Sequence, residues 1–295
     1  MLSLTRQLLS PFPKILLNLV LTRLITYRAI PLNSIISKII DHVIISLMKD
    51  EMVTSHLQFA YKESYSTSLC SYLITETIQY YQTRGSNVYM MLLDATKAFD
   101  RVKYSKLFNL LLIERDICPL IVRLLLNMYL ISTAVVSWNG VNSDQFKLCN
   151  GVKQGCVISP LLFSIYINPL IQDLNRSKLG CYMGDICCNA VAYADDIVIL
   201  SPTCDALRKM VKTCEQYATQ FSLSFNPNKC VLIIFSDSDV FMDTVCIKMY
   251  GRTIQNVKSE KHLGHLISSR GSLVNLEPVI RDMKVRTSVI TYQFY

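Results

Sequence analysis

The sequence has few of the residues that loosen a chain. Glycine and proline number nine each among 295 residues, which excludes collagen-like and low-complexity classes. Charged residues make up 18% against 51% hydrophobic, so general disorder is excluded. No Ser/Gly linker and no internal repeat appears, so nothing demands a cut into domains. No apolar run reaches the roughly 18–20 residues that a membrane span needs. Residues 15–26 come nearest, and Arg23 interrupts them, so no membrane partner is expected. A clean signal peptide is also missing. The eleven cysteines show no repeating spacing and read as reduced, mostly buried thiols. Cys187 and Cys188 are adjacent, and His262 and His265 lack cysteines at matching spacing, so a zinc site is not expected.

Acidic residues are missing from the first forty positions, along which Arg6, Lys14, Arg23 and Arg28 are spaced. Such a stretch is similar to a mitochondrial transit peptide. A basic nucleic-acid arm is the preferred reading, because Arg28 stands in a stretch that reads as folded protein. The expected location is therefore intracellular, nuclear or cytoplasmic, with mitochondrial targeting the alternative. The net charge of +8 divides unevenly, as +4 over residues 1–62, −1 over 63–247 and +5 over 248–295. Two basic flanks enclose a locally acidic centre, as a nucleic-acid-binding chain would have it. Solvated surface Lys and Arg are the plainer alternative.

Periodicity gives an outline of the fold. Residues 34–48 carry apolar side chains at 35, 36, 39, 40, 43, 44 and 47, a helical spacing. Residues 66–82, 104–114, 119–131 and 205–221 also read as helices, with Pro119 in a first turn. Ser159 and Pro160 open another, Ser as cap and Pro as first helical residue, with a bend or restart expected at Pro169. Residues 88–93 form a continuous apolar strand covered on both faces and ending at Asp94. Residues 133–138 and 145–149 read as strands joined by a turn over 139–142. Residues 190–193 and 197–200 are apolar strands flanking Asp195 and Asp196, and 231–235 is a last strand. This order implies an α+β fold, with helices packed on one face of a sheet.

Carboxylates at the rim of a buried sheet are costly unless paired or metal-bound. If the strand ending in Asp94 neighbours the hairpin carrying Asp195 and Asp196, then Asp94 and Asp195 meet. Two Mg²⁺ (or Mn²⁺) ions become the natural counter-charge, completed by substrate phosphates.

The segments TYRAIPLNSIISKIID, QFAYKESYSTSLC, LDATKAFDRV, NGVKQGCVISPLLFSIYIN, AYADDIVIL and FSLSFNPNKC occur in this order. Together they resemble the reverse transcriptase domain of non-LTR (LINE-like) retrotransposons, from about Tyr27 to Phe235. The resemblance implies a right-hand polymerase: fingers and palm, the palm an antiparallel sheet backed by helices with a ferredoxin-like core. Residues 1–26 would be an amino-terminal extension. Fingers would span about 27–87 and palm about 88–250, with a fingers-side insertion near 132–153. Residues 251–295 would hold a primer-grip hairpin and a truncated start of the thumb. The chain would then be a fragment without an endonuclease domain.

The resemblance also assigns roles. Asp94 and Asp195 would be metal ligands, with Asp196 a supporting carboxylate. The backbone at Ala95, Thr96 and Lys97 would face the triphosphate, and Phe99 would act as a steric gate against a 2′-hydroxyl. Gln154 and Gly155 would lie against the nucleotide and template base. Lys62 and Arg28 would neutralise phosphates, or serve as plain surface cations. Lys229 would protonate pyrophosphate, or be a turn lysine. Tyr193 would support the primer end, and residues 257–267, with Leu263 and Gly264, resemble the primer grip. His262 stands where the family has an aromatic. Glu63 lowers the local positive charge. The implied partners are an RNA template, a DNA primer and deoxynucleoside triphosphates. Two other readings stand beside this one: a group II intron maturase or telomerase-like polymerase, and a domesticated fragment that binds RNA only.

Overall fold

The computed structural model describes residues 32–138, 140–153, 155–236 and 245–269. Its centre is a five-stranded sheet. Strands β1 (Val88–Asp94), β8 (Ala190–Tyr193), β9 (Asp196–Ser201), β10 (Val231–Phe235) and β13 (Gln255–Asn256) lie in the order β13-β10-β1-β9-β8. All neighbours are antiparallel except β10 and β13. The apolar runs seen in the sequence become these strands because both sheet faces are covered.

Met91, Leu93, Ile197, Ile199, Leu232 and Ile234 face one core, shared with helices α6 (Ser159–Arg176) and α7 (Cys204–Gln220). Met90, Val191, Val198, Leu200 and Ile233 face the other, shared with Cys70, Ile74 and Ile78 of α2 (Thr67–Gln82). Helices therefore cover both faces, not one. Three helices begin where a hydroxyl meets an orphan N–H: Ser34 accepts from Ser37, Ser66 from Leu69, and Thr203 from Ala206.

Several local expectations change. Helix α1 (Ile35–Leu47) forms under the cap of Ser34, but most of its apolar residues lie outside, with Ile35 76% and Ile39 58% exposed. Asp41 and Ile44 are its buried positions, and the Asp41 carboxylate accepts the Val157 N–H at 3.1 Å. That contact places a negative charge beside the start of α6, which suits the helix dipole. Ser159 is the first residue of α6 and not its cap, which is Ile158. The Ser159 hydroxyl instead meets the Tyr129 hydroxyl at 3.4 Å. Pro169 lies inside α6 without interrupting it.

The helix expected over 104–114 divides. It is α-helical in α4 (Tyr104–Asn109), after the short α3 (Ala98–Arg101), and continues as a π-helical turn over Leu110–Glu114. Helix α5 (Pro119–Leu130) follows as expected. The next hairpin has two short ladders of two residue pairs each. Strand β2 (Thr133–Ala134) pairs with β5 (Phe146–Lys147), and β3 (Ser137–Trp138) with β4 (Val141–Asn142). Val141 and Asn142 are thus strand, not turn.

Two smaller hairpins complete the fold before and after β10: β6 (Tyr182–Met183) with β7 (Ile186–Cys187), and β11 (Lys248–Met249) with β12 (Arg252–Thr253). A third, β14 (Ser259–His262) with β15 (His265–Ser268), turns through Leu263 and Gly264. All eleven cysteines are free thiols and seven are buried, as expected. Among the described residues, no helix is long and apolar enough to cross a membrane.

Candidate active site

The rim of the sheet gathers the acidic residues. β1 delivers Asp94 at its end, and β8 and β9 are joined by the two-residue turn Ala194–Asp195. The register sets Asp94 opposite Asp196 across β1 and β9, and Tyr193 opposite Asp196 across β8 and β9. Asp196, rather than Asp195, is therefore the rung partner of Asp94, and Asp195 stands in the adjoining turn. The Asp196 carboxyl is raised above its usual range, first by lost hydration and then by the charges of Asp195 and Asp94. Three carboxylates held close enough to repel are a donor set that suits a divalent cation. Among the described residues, no three or more His, Cys, Asp or Glu form a ready-made metal cage. Mg²⁺ is commonly bound by one or two carboxylates completed by phosphate oxygens and water.

Asp94 is fixed from behind. Its N–H donates to the Cys230 thiol at 3.4 Å, and its carbonyl accepts from Asn226 at 2.9 Å. Ala95 lies against Phe225, and the Thr96 N–H donates to the Ser224 carbonyl at 2.8 Å. That N–H is therefore already paired within the chain. Lys97 is exposed in a left-handed conformation, φ 48°. The Asn226 turn that carries Lys229 is tied to the same strand end, and Lys229 itself is exposed.

Phe99 is half-buried and stacked on Phe163, ring centroids 4.4 Å apart. The Val152 N–H donates to its carbonyl at 2.8 Å, and Gly151 packs on the next residue. A Cβ on Gly151 would lie 2.9 Å from the Asp100 Cα, and its φ is +88°, so only glycine fits. This contact holds residues 151–152 beside Phe99. Gly155 is exposed. Gln154 and Arg28 lie outside the described residues, as do residues 270–295.

Lys62 turns inward. Its ammonium donates to the carbonyls of Thr54 (3.1 Å) and Ser55 (2.5 Å) and sits 5.1 Å from the Tyr65 ring centre. Burial lowers its pKa to about 8. Tyr193 is half-buried at the end of β8. Leu263 and Gly264 both take positive φ, 50° and 88°, as a tight hairpin turn requires. His262 beside them is 5% exposed with neither ring nitrogen hydrogen-bonded, and burial and His265 lower its pKa to about 4.

Residues 22–267 match the family described as reverse transcriptase (RNA-dependent DNA polymerase). The chain belongs to that family. Its relatives are non-LTR retrotransposon proteins. It is 26% identical over 238 residues to the Pol polyprotein of the type-1 retrotransposable element R2 of Popillia japonica, covering 76% of this chain and 38% of the relative. It is 24% identical over 256 residues to the RNA-directed DNA polymerase from mobile element jockey of Drosophila funebris, covering 82% and 27%. The chain thus spans less than two-fifths of the length of these relatives. A telomerase of Candida tropicalis, solved with a fragment of telomeric RNA, shares the fold at TM-score 0.56 and 13% identity, over 82% of this chain and 37% of that one.

Sequence reasoning missed four residues here. Cys230 and Asp41 act through single long-range hydrogen bonds that leave no local pattern. Tyr61 is raised in pKa by burial, then by Asp195 and Tyr193, which places its phenol near the turn. Gln58, buried beside β8, is the fourth. Gln58 and Tyr61 lie in the segment QFAYKESYSTSLC, Asp41 ends TYRAIPLNSIISKIID and Cys230 ends FSLSFNPNKC, and those segments were the only signal available.

Proposed function

We propose that this chain is the fingers-and-palm portion of a retrotransposon RNA-directed DNA polymerase. It would extend a DNA primer on an RNA template with deoxynucleoside triphosphates. The observation that carries this reading is the register of Asp94 against Asp196 with Asp195 in the adjoining turn. Asp94 and Asp195 would hold the divalent cations, Mg²⁺ or Mn²⁺, with Asp196 adding negative potential. When bound, such cations neutralise the polyphosphate and lower the pKa of the attacking 3′-hydroxyl.

The chain's own part is positioning. Phe99, braced by Phe163, would exclude the 2′-hydroxyl of a ribonucleotide. Gly155 and Gln154 would border the nucleotide and template base. Ala95, Thr96 and Lys97 would follow the triphosphate, the Thr96 N–H excepted. Tyr193 and the Leu263–Gly264 turn would support the primer, Lys229 would serve the leaving pyrophosphate, and Arg28 the template phosphates. The test is dTTP incorporation on poly(rA)/oligo(dT). Asp195→Asn should abolish it while RNA affinity holds. Joint loss of binding and activity would count against a metal role.

One observation favours a second reading, RNA binding without catalysis. The Lys62 ammonium is engaged by its own loop, which would weaken triphosphate capture. Incorporation no greater than that of Asp195→Asn would put this reading ahead.

A further inference from the structure

Gln58 is the most deeply buried polar side chain beside the acidic rim, at 0% exposure. The backbone around it extends the sheet edge. The Phe59 N–H donates to the Ala192 carbonyl at 2.8 Å, and the Ala192 N–H to the Leu57 carbonyl at 2.9 Å. The Gln58 side-chain oxygen accepts two backbone N–H groups, from Ala60 and Ala194, each at 3.2 Å. Two N–H donors can be met only by oxygen, so the amide orientation is fixed by chemistry. Its nitrogen has no partner among the described residues. Such a buried donor is a cost, accepted here in return for the acceptor.

The reason for that acceptor is Ala194. It is the first residue of the turn and takes φ +57°, a slot that glycine usually fills. A side chain there is strained, so the turn must be held from outside. The holder is itself anchored, since the Ser55 N–H donates to Asn168 of α6 at 2.7 Å. We propose that Gln58 is a positioning residue for Asp195: by taking the Ala194 N–H it fixes the turn and so the aim of the carboxylate. The fingers-side loop and the acidic rim are thereby one unit. This rests on the polymerase reading.

The test compares Gln58→Met, which fills the space without an acceptor, and Gln58→Glu, which keeps one at the same reach. Primer extension is measured alongside Mn²⁺ affinity, read by electron paramagnetic resonance of the free ion without nucleotide. Gln58→Met should lower kcat about 10- to 100-fold while KM for dTTP holds. Mn²⁺ affinity should weaken about tenfold, towards that of Asp195→Asn. Gln58→Glu should exceed Gln58→Met in kcat although it falls below it in thermal stability. A packing role alone would rank the two in the same order in both.

Wild-type kcat and Mn²⁺ affinity in folded Gln58→Met would overturn the proposal. If Gln58→Met does not fold, a Gln58→Glu protein with Mn²⁺ affinity as weak as Asp195→Asn would do the same. A wild type that fails to extend primers sinks the polymerase reading. Weaker Mn²⁺ binding in Gln58→Met would still support the positioning role in that case. Absence of any Asp195-dependent Mn²⁺ binding in wild type would overturn both.

Discussion

The acidic rim and the loop over residues 54–65 touch the same sheet edge but treat their charges in opposite ways. At the rim, apolar strands run to Asp94 and Asp196 with Asp195 in the turn, and lost hydration together with the charges of Asp195 and Asp94 raises the Asp196 carboxyl. In the loop, Lys62 is folded back onto two carbonyls and Gln58 is buried whole. The rim stores electrostatic stress that a ligand can relieve. The loop has its polar groups largely satisfied and supplies rigidity. Charge of the expected sign is thus not enough to name a ligand contact; what the group already holds decides that.

The comparison breaks most visibly at Asp94. Asp94→Asn should reduce dTTP incorporation by about 10³-fold or more, the scale of losing a group that stabilises charge in the transition state. An RNA affinity unchanged in filter binding would confine the effect to the rim.

The next effect is on stability. His262 holds its pKa near 4 in the fold, below the ordinary 6.5 of an unfolded chain. The unfolded chain therefore gains protons first, so stability should fall as pH drops from about 6.5 to about 4, by ~2–3 kcal/mol in all. Above about 6.5 His262 adds no pH dependence. Denaturant titrations of wild type and His262→Phe should show the slope in the former and its loss in the latter.

Gly151→Ala should cost ~1–3 kcal/mol, because the added Cβ meets backbone at Asp100 and φ is unfavourable. Thermal unfolding reads that, and a fall in kcat beyond it would show that the Phe99 loop had shifted. Phe99→Val should relax discrimination against ribonucleotides by about 10- to 100-fold in kcat/KM ratio. The smallest effect is at Lys62. Lys62→Met should raise KM for dTTP less than about threefold, since its ammonium is engaged by the loop. A tenfold rise would erase the contrast between loop and rim.

Much of the rim was legible because it is written in runs. VYMMLL ends abruptly at Asp94, and two apolar strands bracket Asp195 and Asp196. The register was not legible. It depends on pairing of strands a hundred residues apart, and it set Asp196, not Asp195, opposite Asp94. Helix α1 shows the limit of periodicity: the spacing gave the helix correctly, yet of its isoleucine stripe only Ile44 is buried, beside Asp41, whose carboxylate accepts one backbone N–H. Pro169 likewise sits within an uninterrupted α6, whose buried face packs on both the sheet and α7. Gln58 and Cys230 serve the site through contacts made only after folding, so the segments QFAYKESYSTSLC and FSLSFNPNKC mark their surroundings but not their roles.

The central claim is that the end of β1 and the β8–β9 turn form one cation site. Fe²⁺ bound in place of Mg²⁺, with ascorbate and peroxide, cuts the backbone near its ligands. Cleavage should fall around both Asp94 and Asp195, be competed by Mg²⁺, and vanish at both positions in Asp195→Asn. Cleavage at only one of the two, or persisting at Asp94 in that variant, would contradict it.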